Sequence, residues 1–352
     1  MILAHQTFVQ KGMLMKLIAT SLSLALLIPA FAFAQDDSVV SLDVTQADFD
    51  IQVGPDAFAY RALGIAGSTQ DAPSMSSRRQ ASGAPAIDPS RGEFYPADLS
   101  NPDGGQSMWV AQHHPIYINM PPSHWGDPAT FLKDLGNSEF IHVTDQYVGT
   151  SANHRYTLGT QFGTGSYLIP ANHTLTMNDI FALTHAAATL GGTGLDHLYH
   201  VFLPRGVDMC IDANTCYSPD NFKTFFFCAF HGAVSFSDGV AGVIFTVEPY
   251  QNVNGCSVPP TGTASGQLND STATVLSHEA IESITDPNLD AWWVQDLTFA
   301  NGQEIGDLCT RAGLFGTHYY WNYGIVQLDQ HMYTIQPEYS NKVHGCTYRP
   351  GR

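Results

Sequence analysis

All six cysteines, Cys210, Cys216, Cys228, Cys256, Cys309 and Cys346, lie in the C-terminal half of the chain. An even count concentrated in one half predicts a disulfide-stapled fold in an oxidising compartment. Nearness along the chain favours the pairs Cys210–Cys216, Cys228–Cys256 and Cys309–Cys346. No CxxC occurs, which argues against a thiolate zinc site.

The N-terminus fits that compartment. Lys11 and Lys16 precede the apolar run LIATSLSLALLIPAFAFAQ, which closes on Ala32-Phe33-Ala34. A basic region, an apolar core and a small-residue site make residues 1–34 a secretory signal peptide. Pro29 and the small residues favour cleavage over a retained anchor. The mature chain would keep 12 of the 14 Lys and Arg against 32 Asp and Glu, a net charge near −20. Such a surface repels nucleic acid and anionic lipid. It suits cations, calcium as a structural ion included, although no EF-hand loop occurs.

At 352 residues and 44% hydrophobic content the chain can bury a sizeable core. Residues 35–107 differ from the rest, with STQDAPSMSSRRQASGAPAIDPSRGEFYPADLSNPDGGQS at their centre. That composition predicts a disordered linker or pro-segment. The preceding SVVSLDVTQADFDIQV reads as a strand pair or part of a propeptide. From Met108 the texture is globular. HPIYINM, HRYTLGTQF, SYLIP and HLYHVFLP read as strands. Asp127 caps a helix that opens on Pro128, and MNDIFALTHAAATLGG is an amphipathic helix. FKTFFFCAFHGAVSF and GVAGVIFTVEPY read as an antiparallel pair. The order predicts an α/β (α+β) fold, a mixed sheet with packed helices.

The chemistry centres on VLSHEAIESITDP, Val275–Pro287. Asp270 or Ser271 can cap a helix running to about Thr285. Leu276, Ala280 and Ile284 then share one face, while His278 and Glu282, four residues apart, share another. Residues so spaced converge on one metal. Glu279 takes the place of the general base in HExxH enzymes. The alternative is a solvated polar face. With seven glutamates and 15 histidines in the chain, chance yields an HExxE only about 0.006 times.

A third ligand must come from elsewhere. DPNLDAWWVQDLTFANGQEIGDLC reads as a hairpin turning at Asn301-Gly302 and returning to Glu304. Glu304 is the expected ligand. Asp307 is placed to orient His278 or to cap a turn. Asp286, beside Pro287, is a third contender, better suited to a cap. His231, at a strand end in FFFCAFHGAV, could stabilise an oxyanion, bind metal or be structural. His113, His114, His197, His200 and His318 lack ligand spacing and read as core or surface. No G-x-S-x-G, P-loop or Rossmann fingerprint appears.

HPIYINMPPSHW, FLKDL, SEFIHVTDQY, HLYHVFLP, FCAFHG, VLSHEAIESITDP and EIGDLC occur in an order that resembles the Exordium-like, or phosphate-induced, protein family, most closely its bacterial secreted members. The likeness spans about Met108 to Cys346, and the SHExxExxTDP…EIGDLC pair is its specific part. The plant members are extracellular, linked to growth, and lack an intact HExxE at the matching place. The element order is also similar to that of zincin peptidases, an analogy of fold. Residues 108–352 are thus expected to form a zincin-like catalytic domain. The expected activity is zinc-dependent hydrolysis of a protein or peptide, with zinc on His278, Glu282 and Glu304, Glu279 as base and His231 at the oxyanion. The competing expectation is a non-catalytic extracellular or cell-wall-associated module, with Trp125, Trp292 and Trp293 stacking on sugars.

Overall fold

The main sheet begins inside the stretch expected to be a linker. Along the chain come β1 (Val39–Ser41), α1 (Gln46–Asp50), β2 (Val53–Gly64), β3 (Ala111–Tyr117), α2 (Pro128–Gly136), α3 (Asp145–Val148), β4 (Tyr156–Leu158) and β5 (Gln161–Gly163). Then follow β6 (Leu175–Thr176), α4 (Met177–Gly191), β7 (His197–Phe202), β8 (Met209–Cys210), β9 (Cys216–Tyr217), β10 (Phe227–Phe236), β11 (Val243–Glu248) and α5 (Gly266–Thr285). Three short antiparallel pairs end the chain: β12 (Arg311–Ala312) with β13 (Tyr320–Trp321), β14 (Gly324–Leu328) with β15 (His331–Ile335), and β16 (Glu338–Ser340) with β17 (Gly345–Thr347).

This computed structural model describes residues 38–64, 98–149, 155–164, 173–294, 304–309, 311–312, 320–321 and 323–350. They belong to one unit, Asp37–Arg352. The expected signal peptide, residues 65–97, the SYLIP strand, the Asn301-Gly302 turn and His318 lie outside the described residues.

The main sheet has eight strands in the order β1-β5-β3-β7-β11-β10-β2, with β4 also beside β3. The row from β1 to β11 is parallel. β10 is antiparallel to both its neighbours, β11 and β2. The expectation of a linker from 35 to 107 is therefore corrected for residues 38–64. β2 is too poor in large apolar residues to announce itself, yet its backbone pairs with β10 from Val53 to Gly64. Residues 98–107 also join the fold: Ser100 bridges Trp293, and Met108 N donates to Ile284 O at 2.8 Å.

Helices cover both faces. On one, Ile180, Leu183 and Ala187 of α4 pack with Tyr199, Val201, Phe245 and Val247. On the other, Leu276, Ala280, Ile281 and Ile284 of α5 meet Leu198, Phe202, Ala233 and Ile244. The period of two along β7 and β11 sorts these partners. Each large side chain so buried contributes about 1.5–3 kcal/mol. α2 starts as expected, with Asp127 accepting from Thr130 N at 3.2 Å and Pro128 first in the helix. α5 begins earlier than expected, at Gly266. Asp270 is no cap; it lies inside the helix and accepts from Thr334 N and Oγ1, both at 3.0 Å, which ties α5 to β15. β11 is an interior strand, so it offers no free edge to a substrate.

The disulfides are Cys210–Cys216, Cys228–Cys256 and Cys309–Cys346, as expected, with S–S distances of 1.97, 2.10 and 2.02 Å. The second ties β10 to the segment before α5. The third ties the turn after Gly306 to β17.

The N-terminal segment is held by a buried imidazole. His185 of α4 lies between Asp48 of α1, 2.7 Å from Nδ1, and Asp238, 2.9 Å from Nε2. Burial disfavours the His185 cation, but the hydrogen bonds and charges of Asp238 and Asp48 outweigh it and raise its pKa. Asp48 is lowered: burial opposes ionisation, and the Thr45 amide and His185 overcome it. Asp238 is lowered chiefly by its bond to His185. The imidazolium contribution is complete below the ordinary histidine pKa of about 6.5 and is lost as pH rises through the raised value. The carboxylate contributions are complete above about pH 4 and are lost as pH falls through the lowered values. The clamp is strongest between these limits. His185→Gln should lower stability by about 1 kcal/mol at pH 5.5 and by much less at pH 9. Urea unfolding at both pH values tests this; an equal loss at both would refute the clamp.

Candidate metal centre

Three elements bring acid and imidazole together. β10 supplies His231, α5 supplies His278, Glu279 and Glu282, and the turn before Cys309 supplies Glu304 and Asp307. His231, His278, Glu279 and Glu304 are 0% exposed and Glu282 is 2% exposed. The polar face of α5 is thus buried, which removes the alternative of a solvated helix face. Every residue from Asp270 to Thr285 is buried.

His278 Nε2 stands 3.2 Å from Glu282 Oε1 and 3.8 Å from Asp307 Oδ1. His231 Nδ1 stands 3.2 Å from Glu279 Oε2 and 3.5 Å from Glu282 Oε2. On the other edge of its ring, Nε2 lies 3.6 Å from Glu304 Oε1. Two groups therefore have donor atoms within 4.8 Å of one another: His278, Glu282 and Asp307, and His231, Glu279 and Glu282. Either group could hold a metal ion.

The expected pairing of Glu304 with His278 and Glu282 is corrected. Asp307 takes that place, and Glu304 faces His231. The local turn explains the exchange. Asp307 N donates to Glu282 Oε1 at 3.0 Å, and Cys309 N donates to Gly306 O at 2.8 Å, so the chain folds back at Gly306. Gly306 itself lies against the His278 ring, leaving no room there for a side chain. Asp286 is the C-cap of α5 and accepts from Ala291 N; it belongs to neither group. His231 presents both ring edges to carboxylates, an arrangement better suited to positioning Glu279 than to holding an oxyanion.

The charges respond to burial. Glu279 is pushed well above the usual carboxylate range by burial, with His278 opposing and the Glu282, Glu248 and Asp307 charges adding to the rise. Burial also opposes ionisation of Glu282, but the His278 and His231 charges and the Asp307 amide outweigh it and lower its pKa. Burial disfavours the His278 cation, and Glu282, Glu279 and Asp307 together raise its pKa well above the imidazole range. Two further buried glutamates flank the cluster, Glu248 at the end of β11 and Glu338 in β16. Burial pushes Glu248 up to about 8, against the Thr246 hydrogen bond and the His278 charge. Burial likewise raises Glu338 well above its usual range. Sequence reasoning missed both; the signal for Glu248 was an acid closing a largely apolar strand, and Glu338 in Glu-Tyr-Ser carried none.

The donor set fits a cation. His278 Nδ1 and Glu279 Oε1 are buried without hydrogen-bond partners, and His278 Nε2 faces the Glu282 and Asp307 carboxylates. Ligands 2.0–2.1 Å from a tetrahedral ion stand about 3.3 Å apart, close to the 3.2 Å between His278 Nε2 and Glu282 Oε1. The contact at Gly306 yields a test. Gly306→Ala should displace the His278 ring and weaken metal binding by about 10–100-fold, with the disulfides intact. Competition with a chromophoric chelator reads this; unchanged affinity would remove His278 from the ligand set.

No protein-family model, curated protein or solved structure matches this chain. The buried cluster offers groups of His, Glu and Asp that could hold a metal ion.

Proposed function

We propose that this chain is a secreted metal-dependent hydrolase acting on a protein or peptide, with zinc on His278, Glu282 and Asp307. The observation that carries the reading is Glu279, a buried carboxylate with an unpartnered oxygen beside that triad. Imidazole nitrogen and carboxylate oxygen are both zinc ligands. A bound zinc supplies a Lewis acid and acidifies its water toward neutral pH.

The residues of the chain do the rest. His231 Nδ1 meets Glu279 Oε2 at 3.2 Å, which leaves Oε1 to accept a proton. Burial raises the proton affinity of Glu279, bringing it nearer the range where a base works best at neutral pH. Glu304 steadies His231 from the far edge of the ring. Glu279 is then the catalytic base, and His231 and Glu304 are positioning residues. The three disulfides suit an oxidising, extracellular setting. No helix among the described residues is long and apolar enough to cross a membrane. The likeness of VLSHEAIESITDP and EIGDLC to bacterial Exordium-like proteins and the zincin-like element order point the same way.

One observation favours a second reading. The donor groups are almost wholly buried, as in closed structural sites. The chain would then be a non-catalytic Exordium-like extracellular module with a structural zinc or calcium. Its expected sugar platform is not supported, because Trp125 is 0% and Trp293 6% exposed. The two readings part on turnover. Glu279→Gln should lower cleavage of a mixed peptide library by about 10²–10⁴-fold while the ion on His278, Glu282 and Asp307 is retained. Undiminished cleavage in that variant would refute the mechanism. A metal-loaded wild type that cleaves nothing would establish the closed-site reading.

A further inference from the structure

The two oxygens of Glu282 face different imidazoles. Oε1 is 3.2 Å from His278 Nε2, and Oε2 is 3.5 Å from His231 Nδ1. The two groups able to hold a cation share this one carboxylate. We infer that the centre takes two divalent cations bridged by Glu282, the first on His278 and Asp307, the second on His231 and Glu279. The inference rests on the metal-centre reading above and extends it by one site.

Geometry supports the bridge. A carboxylate that gives one oxygen to each of two ions suits the separation of about 3.5–4 Å found in two-metal hydrolytic sites. The Asp307 amide donates to Glu282 Oε1 at 3.0 Å and fixes the plane of the bridge. Glu279 turns Oε2 toward His231 Nδ1, while Oε1 stays buried and without a hydrogen bond. One oxygen can therefore serve the cation and the other the proton.

Charge supports it independently. Glu279, Glu282, Glu304 and Asp307 converge on two imidazoles. All four ionised, as metal ligation requires of a carboxylate, they would carry four negative charges in a site where Glu279 and Glu304 are 0% exposed. One dication leaves two of those charges uncompensated, at a heavy desolvation cost. Two dications neutralise the set with both imidazoles neutral, the form in which histidine binds metal. Imidazole with carboxylates suits zinc and manganese.

The test is metal stoichiometry on the full mature chain after loading with Zn²⁺ and gel filtration, read by plasma mass spectrometry. The wild type should retain two ions. His231→Gln should retain one, Asp307→Asn one, and Glu282→Gln fewer than either. A wild type with one ion, lost in Asp307→Asn and kept in His231→Gln, would overturn the second site and leave the first standing. One ion lost only in His231→Gln would overturn the pair and move the single site. No ion at all would overturn both readings. Loading the wild type with Mn²⁺ gives a measurement free of any folding defect in the variants. Two bridged ions should give an exchange-coupled electron paramagnetic resonance spectrum; an uncoupled six-line spectrum at saturation would overturn the bridge.

Discussion

Burying carboxylates is the constraint around which this molecule is organised. Five of its seven glutamates, Glu248, Glu279, Glu282, Glu304 and Glu338, are at most 2% exposed. An ionised carboxylate in such a place must be paired, protonated or bound to metal. The first two responses are both seen here. Glu282 stays ionised against His278 and His231. Glu248 and Glu338 are driven toward the protonated form. Glu279 is also driven up by burial, with the neighbouring His278 charge opposing the rise.

The scaffold keeps these groups apart from water with small and apolar neighbours. α5 carries Ala273 and Ala280 on the face that packs into the core, and it is buried for most of its length. The sheet beneath it is parallel through β11 and then reverses at β10, which sets His231 opposite Thr246 across the strand pair. The Cys309–Cys346 disulfide fixes the turn that carries Glu304 and Asp307. A loop of that size, once closed, contributes about 4 kcal/mol by limiting the unfolded chain. The positions of two acids thus depend on a covalent tie rather than on a regular element.

What the sequence disclosed was local. Asp127 before Pro128, the amphipathic run of α4, the end of α5 before Pro287 and the neighbouring cysteine pairs all carry short-range signals, and all appear in the structure. The misses were tertiary. β2 has no strong strand signature and is held by its partner, so composition placed it in a linker. Asp270 has the identity of a cap but is used inside the helix to bind β15. His278, Glu279 and Glu282 were legible because a helix fixes their spacing. Glu304 and Asp307 were found as a pair and exchanged in role, because the fold-back at Gly306 has no periodicity to read. Glu248 could be suspected only from the oddity of an acid in a buried strand, and Glu338 carried no such signal.

The same logic reaches across the sheet on the α5 side. Thr246 Oγ1 donates to Glu248 Oε1 at 2.7 Å, so its only hydrogen is used. His200 Nδ1, 2.9 Å from that hydroxyl, must therefore donate to it. Burial first, then the neighbouring His113 and His114, hold His200 neutral, which leaves its Nε2 as an acceptor. The bond of 2.8 Å to His113 Nδ1 must then carry a hydrogen from His113. His113 is also neutral, its pKa lowered to about 3 chiefly by burial. Two imidazoles and a hydroxyl on three adjacent strands are thus aligned with their hydrogens directed toward Glu248. That alignment pulls the Glu248 pKa down while burial pushes it up, and burial prevails. His113 and His200, which lacked ligand spacing, are core residues, and their tautomers follow from the acid at the end of the row.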